Sequence, residues 1–340
     1  MLQVGLVGYG FMGKMHAQCY QATGQAQVAA LVDVEPDRRA DARSKFGCEV
    51  FESIEEMLAS MQVDLIDICT PTYLHETHVI SASKAGVPIM CEKPLSLTLD
   101  SCDRMIEVVR EADVPMMVGQ VLRFCNEYVM AKELVDSDRY GKVLWASCSR
   151  TSPPADWSWQ GWLKDPEKSG GAILDLHIHD VDFLAWLLGT PVDVRARGVR
   201  STMGAVDSVF TTSIHEGNVV SYAQGTLMLS RTSPFNMAFT INLERATIQM
   251  DISRTPTLMV YPAEGEPFAP DLPKPDVKSE GEGAGNISDL GPYFNEIKYL
   301  VDRVSAGEKP DRVTAEAARE AVRICLAEMD SVEKDQGIRL

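Results

Sequence analysis

Over residues 2–119, short runs of branched apolar residues alternate with stretches of helical spacing, and no other feature of the chain limits its fold so strictly. Runs 2–7, 28–33, 49–51, 64–69, 88–91 and 114–119 read as strands. Between them, 11–23, 36–46, 53–61, 73–85 and 97–112 read as helices. Pro36 suits a first helical turn, Ser53 with Glu56 three residues on forms a capping box, and Gly86 stops a helix. The strands lack the period-two alternation of a half-wetted sheet, so helices must cover both faces. A parallel, doubly wound sheet is the expectation, with ligands beyond the carboxyl ends of its strands.

The pattern changes near residue 123. A helix at 126–135, a strand at 142–150 and a Trp-rich loop lead to a strong helix at 172–188, which Gly189 ends. Residues 192–261 read as several strands with turns at Met203-Gly204, Glu216-Gly217 and Glu244-Arg245. An irregular stretch at 262–292, rich in proline, glycine and acid, precedes helices at 290–305 and 314–334. The expected architecture is α/β: a Rossmann domain over 1–122 and an α+β domain with a mostly antiparallel sheet over 123–340. The last helices are free to pack back on the first domain. At about 150 residues per domain, 340 residues fit two.

Asp plus Glu number 49 against 32 Lys plus Arg, and the net charge of −17 repels phosphate backbones and anionic lipid. Neither nucleic acid nor membrane is expected as a partner. The eight cysteines are scattered, with no C-x-x-C pair for zinc or redox work, and read as reduced core thiols. The chain starts on a strand with no basic-then-apolar leader, so a cytoplasmic protein is expected.

Gly8-Tyr9-Gly10-Phe11-Met12-Gly13 follows the first strand and opens the first helix. In that context the first glycine permits the tight turn, the second lets a pyrophosphate approach the backbone, and the third allows close helix–strand packing. Asp33 stands 20 residues beyond Gly13, where a carboxylate accepts the ribose hydroxyls of NAD and repels the 2′-phosphate of NADP. NAD is therefore the expected cofactor, although Arg38 and Arg39 lie near enough to weaken the preference. Thr70-Pro71 with His75 follows the fourth strand, Glu92-Lys93-Pro94 the fifth and Gln120 the sixth, all at the ligand edge. Lys93 can donate to a substrate oxygen and stabilise developing alkoxide charge.

In the 172–188 helix, Asp175 and His179 are spaced i, i+4, about 40° apart on an α-helix, so the carboxylate can orient an imidazole that takes a proton. Asp182 falls on the same face, whereas His177 points elsewhere and reads as a satisfied core residue. Metal is not expected, because 175, 177 and 179 scatter around the helix and His75 with His78 lacks a third ligand. Trp157, Trp159 and Trp162 precede this helix; Trp162 reads equally as a ring that stacks on a sugar face or as packing, and the other two read as packing.

Together these residues resemble the Gfo/Idh/MocA oxidoreductases over nearly the whole chain. The marks are Gly8-x-Gly10-x-x-Gly13, Thr70-Pro71 with His75, Glu92-Lys93-Pro94, and the Asp175–Asp182 helix running on to Trp186-Leu187-Leu188-Gly189. The resemblance implies a Rossmann domain, an open-faced C-terminal sheet, and homodimers or homotetramers built on that sheet. It also implies Lys93, Asp175 and His179 as the catalytic set, with Gly8, Gly10, Phe11, Met12, Gly13, Asp33, Thr70, Pro71, His75, Glu92, Lys93 and Gln120 toward the cofactor. Arg123 and Trp162 join the catalytic set toward the substrate. Ser169 replaces a common glycine, and Val121 stands where many members carry Asn. The function expected is hydride transfer between NAD and a secondary alcohol of a sugar, sugar acid or inositol-like cyclitol. The rivals are a dinucleotide-sensing regulator and an NAD-assisted glycoside hydrolase.

Overall fold

The computed structural model describes residues 1–156, 158–200, 205–273 and 290–340. Trp157, the Met203-Gly204 turn and residues 274–289 of the irregular stretch lie outside the described residues. The chain forms two compact units, Met1–Phe124 with Pro275–Arg319, and Cys125–Lys274 with Glu320–Leu340.

The first unit is built on a six-stranded sheet: β1 (Leu2–Val7), β2 (Ala26–Val32), β3 (Glu49–Phe51), β4 (Leu65–Ile68), β5 (Ile89–Glu92) and β6 (Met116–Gly119). Its order is β3-β2-β1-β4-β5-β6 and every pairing is parallel. Each residue of β4, β5 and β6 is buried, which is why these strands read as continuous rather than alternating runs. Helices α1 (Phe11–Thr23), α2 (Pro36–Phe46), α3 (Ile54–Ser60), α4 (His75–Lys84) and α5 (Leu99–Glu111) connect them. Ser53 Oγ accepts from Glu56 N at 3.2 Å and starts α3, and Thr98 caps α5 in the same way. The strand order reverses between β1 and β4, which opens a crevice at the carboxyl ends of the strands.

A later helix, α9 (Gly291–Ser305), belongs to this unit and packs on α1, burying Tyr293, Ile297, Leu300 and Val301. The apolar stripe of α9 completes the cover over α1, and the two compact units divide after Phe124.

The second unit carries α6 (Asn126–Asp136), α7 (Pro166–Ser169), α8 (Ile178–Leu188) and, from Glu320 on, α10 (Ala315–Lys334). Its sheet comprises β7 (Val143–Thr151), β8 (Asp193–Arg200), β9 (Val206–Ile214), β10 (Val220–Thr226), β11 (Asn236–Leu243), β12 (Ala246–Asp251), β13 (Leu258–Pro262) and β14 (Ile338–Arg339). The order is β13-β12-β11-β7-β10-β9-β8-β14, antiparallel except for β7 with β10.

Paired residues share a face, so Cys148, Thr211 and Ala223 point together to the buried side, where α8 packs on β7 and β10. Trp145, Ile214 and Val220 form the matching row on the opposite side, continued by Phe210 and Tyr222, and all five are exposed. That is one covered and one open face. Tyr128, Phe183 and Phe239 cluster beneath the covered face, with ring centroids 4.6 Å and 5.0 Å apart from Tyr128. Burying such rings contributes roughly 1.5–3 kcal/mol each. Among the described residues, no helix is long and apolar enough to cross a membrane.

Candidate active site

In the first unit the loop after β1 is shaped by what its glycines lack. Gly8 has φ of 93°, and a Cβ there would lie 2.8 Å from the Cys69 carbonyl oxygen; one on Gly13 would overlap the Gly8 carbonyl. At Gly10 the space is open, with only an Arg38 guanidinium nitrogen within 4 Å. No side chain caps α1 at Gly10, and a helix N-terminus in this position favours an anion.

Asp33, buried at the end of β2, accepts Tyr9 N at 2.7 Å on Oδ2 and Glu35 N at 2.9 Å on Oδ1. Oδ1 keeps a lone pair for a ribose hydroxyl, and Oδ2 also accepts from the Arg38 guanidinium. Arg38 Nη1 lies 3.4 Å from Asp33, whereas Arg39 is held by the Asp33 and Val34 carbonyls and by Glu52.

The loops after β4, β5 and β6 lie at the same edge of the sheet. His75 is buried there, with Nε2 3.0 Å from the Thr70 carbonyl and Nδ1 3.0 Å from the Pro94 carbonyl. The sequence set this ring toward the cofactor; here it ties the Thr70-Pro71 loop to the Lys93-Pro94 loop. Glu92 is also turned inward. Its Oε1 lies 3.1 Å from His16 Nε2, and its Oε2 accepts Lys93 N at 3.0 Å.

Lys93 itself is half-buried and is followed by a cis bond to Pro94. Gln120 is 1 % exposed, and neither end of its amide has a hydrogen-bond partner among the described residues; the same holds for Thr70 Oγ1. An unsatisfied buried polar group costs about 1–3 kcal/mol, so these orphans mark a lining shaped for a polar ligand. Open Gly10, uncapped α1, Asp33 and the orphaned Gln120 and Thr70 together fit a dinucleotide. Arg123, buried after β6, donates from Nη1 to the Arg312 carbonyl at 3.1 Å.

In the second unit, the expected 172–188 helix is not uniform. Residues Ile173–His177 form a π-helical turn before α8 begins at Ile178. The extra residue in that turn means that the 40° separation of an ideal α-helix does not apply to Asp175 and His179, which are both half-buried. His177 is fully buried with Nε2 3.2 Å from Glu328 Oε2. Burial opposes its charged form, but Glu328 outweighs that and raises its pKa. Asp182 is buried, and Asp180 is paired with Arg150. Trp162 is half-buried in the turn before α7. Ser169, standing for a glycine, shares its hydroxyl proton between the Leu163 and Asp165 carbonyls and accepts Gly171 N.

Residues 2–120 match the model of the oxidoreductase family with an NAD-binding Rossmann fold, and residues 128–249 match the GFO/IDH/MocA C-terminal domain. The chain belongs to the GFO/IDH/MocA oxidoreductases. It is 28 % identical over 355 aligned positions to a myo-inositol 2-dehydrogenase of Thermotoga maritima, covering 100 % of this chain and 98 % of that protein. It is 33 % identical over 189 residues to an uncharacterised oxidoreductase of Streptococcus pneumoniae, where the match spans 56 % of this chain and about half (51 %) of the relative. A levoglucosan dehydrogenase solved with NADH and levoglucosan shares the fold at TM-score 0.87 and 21 % identity, over 100 % of this chain and 99 % of that one.

In this GFO/IDH/MocA chain, sequence reasoning passed over His16, Asp67, Cys69 and Glu296, which meet under the crevice floor. A signal was present: Asp67 is an acid inside Leu65–Ile68, a strand buried on both faces, and a carboxylate there requires a partner. Arg150 carried a similar signal at an inward position of β7.

Proposed function

We propose that this chain is an NAD-dependent dehydrogenase that reversibly oxidises a secondary alcohol of a sugar, sugar acid or cyclitol to the ketone. The observation that carries the reading is the cradle itself. The Gln120 amide and Thr70 Oγ1 are buried without partners among the described residues, in loops at the same edge of the sheet as the open Gly10, and a dinucleotide offers the hydrogen bonds they lack. The names of the relatives, a myo-inositol 2-dehydrogenase and a levoglucosan dehydrogenase, favour a ring polyol.

Bound NAD supplies the acceptor for the hydrogen and electron pair leaving the carbinol carbon. The protein's part is the proton. Lys93 donates a hydrogen bond to the reacting oxygen and stabilises its developing charge. His179 takes the hydroxyl proton, and Asp175 holds the imidazole in the productive orientation. Arg123 and Trp162 complete the substrate-binding set. The exposed row of Trp145, Phe210, Ile214, Val220 and Tyr222 is the face on which a second copy of this chain packs, giving a homodimer or homotetramer. All eight cysteines are free thiols, which suits a reducing cytoplasm.

The test is NADH absorbance with NAD and a panel of inositols, aldoses and sugar acids. NADH accumulation on at least one polyol is expected. NAD binding without NADH on any of them would mark a sensor, and release of an aryl leaving group without net NADH would mark a glycoside hydrolase. Lys93→Ala and His179→Ala are each expected to lower turnover by about 10²–10⁴ while NAD affinity stays within about threefold.

A further inference from the structure

The first unit holds a cluster of ionisable side chains that the dehydrogenase reading does not use. His16 on α1 is fully buried, with Nδ1 2.8 Å from Asp67 Oδ2 and Nε2 3.1 Å from Glu92 Oε1. A neutral imidazole has one N–H and one lone pair, so it satisfies one carboxylate and sets a lone pair against the other. An imidazolium donates from Nδ1 to Asp67 and turns its second N–H toward Glu92 as an ion pair, without a formed hydrogen bond at Nε2. Burial opposes the charged ring, yet the Asp67 carboxylate hydrogen-bonded to it raises its pKa well above the ordinary histidine range.

The other groups facing the ring are neutral. Cys69 Sγ, from the end of β4, lies 3.3 Å from Nδ1 and 3.4 Å from Asp67 Oδ1, and burial pushes its thiol pKa up. Glu296 on α9 is buried with neither carboxyl oxygen hydrogen-bonded among the described residues. Burial, and then Glu92, holds its pKa well above the carboxylate range. On α1 itself, burial raises the Tyr20 hydroxyl and pushes the Cys19 thiol to about 12. The Tyr293 ring of α9 lies 6.3 Å away. One cation therefore stands between two anions.

The row continues to the crevice. Glu92 Oε2 accepts the Lys93 N–H, and Gly119 on the neighbouring strand leaves room for this carboxylate, since a Cβ there would lie 3.2 Å from it. We propose that His16 is a positioning residue: a permanent imidazolium, gripped by Asp67 and Glu92, that fixes the backbone of Lys93 from beneath the crevice. Its charge state follows from this geometry alone, while its kinetic effect rests on the dehydrogenase reading. The same site has a competing occupant. His16, Asp67 and Cys69 each offer one ligand atom within 4.8 Å of the others, a spacing that a transition metal could use. A metal needs a bare Nδ1, and an imidazolium has none.

The experiment joins two measurements. In the first, the ring nitrogens of ¹⁵N-histidine-labelled protein are followed by NMR at about pH 8.5, two units above the ordinary histidine pKa. His16 is assigned by the loss of its signals in His16→Gln. Two protonated nitrogens that ignore added zinc are expected; a neutral tautomer, or a stoichiometric shift with zinc, overturns the proposal. This arm needs only wild type if the variant fails to fold, with assignment made through the backbone.

The second compares kinetics. His16→Gln is expected to lower kcat by about tenfold or more at constant NAD affinity and little-changed KM, because a displaced reacting group costs rate rather than binding. Equal turnover in variant and active wild type refutes the positioning role. Wild type that makes no NADH on any polyol refutes the dehydrogenase reading alone, and the NMR result then decides the charge state by itself.

Discussion

Removing Asp180 isolates a buried guanidinium, and the cost can be worked from its surroundings. Arg150 on β7 and Asp180 on α8 meet through two parallel bonds, Nε to Oδ2 and Nη2 to Oδ1, each 3.0 Å, with side chains only 5 % and 0 % exposed. In Asp180→Ala the guanidinium stays charged and keeps only a Tyr128 hydroxyl at 3.4 Å and the Met237 sulfur at 3.3 Å. Breaking a buried pair by removing one partner costs about 3–5 kcal/mol. At about 2–4 °C per kcal/mol for a unit of this size, the thermal midpoint should fall by about 6–20 °C.

Circular-dichroism melts of the full chain measure it. The double variant Arg150→Met/Asp180→Leu removes both charges and fills similar volume, so it should recover to within about 1.5 kcal/mol of wild type. A single variant that loses under about 1 kcal/mol, or a double variant as unstable as the single, would refute the reasoning.

Gly13→Ala drives a Cβ into the Gly8 carbonyl, so the loop must open, and calorimetry should show NAD affinity at least about tenfold weaker. An unchanged affinity would mean that the loop rearranges without cost. Asp33→Ser frees Arg38, 3.4 Å away, for a 2′-phosphate, and the ratio of NADP to NAD efficiency should rise by about tenfold or more. The His177–Glu328 pair sets a pH dependence. The folded histidine has a raised pKa, so its stabilisation is full below the unfolded value of about 6.5 and is lost as pH rises through the folded value. Chemical-denaturation curves for wild type should therefore lose stability above about pH 6.5, and Glu328→Gln should flatten that fall. Parallel profiles for the two proteins would remove the pair from the account.

Local chemistry was enough for the first unit's frame. Strands buried on both faces must be continuously apolar, the loop from Gly8 to Gly13 must be glycine where backbone meets backbone, and Ser53 must cap, so each announces itself within a few residues. What stayed hidden depends on partners far away in the chain. His75 carried the signature of a ligand-facing residue, but its nitrogens are occupied by carbonyls five and 19 residues away. The π-turn at Ile173–His177 leaves no mark in residue spacing, because α and π turns place apolar residues almost alike over five positions.

The sequence by itself determined which segments form strands and helices, where a dinucleotide loop sits, and which acids and bases are candidates for chemistry. All of these follow from neighbours within one turn or one strand. Only the tertiary structure decided that His16 lies between Asp67 and Glu92, that Arg150 answers Asp180, and that α9 covers α1. A buried charge is tolerated only beside its counter-charge, and the counter-charge is brought there by packing, over separations in sequence that no local pattern encodes.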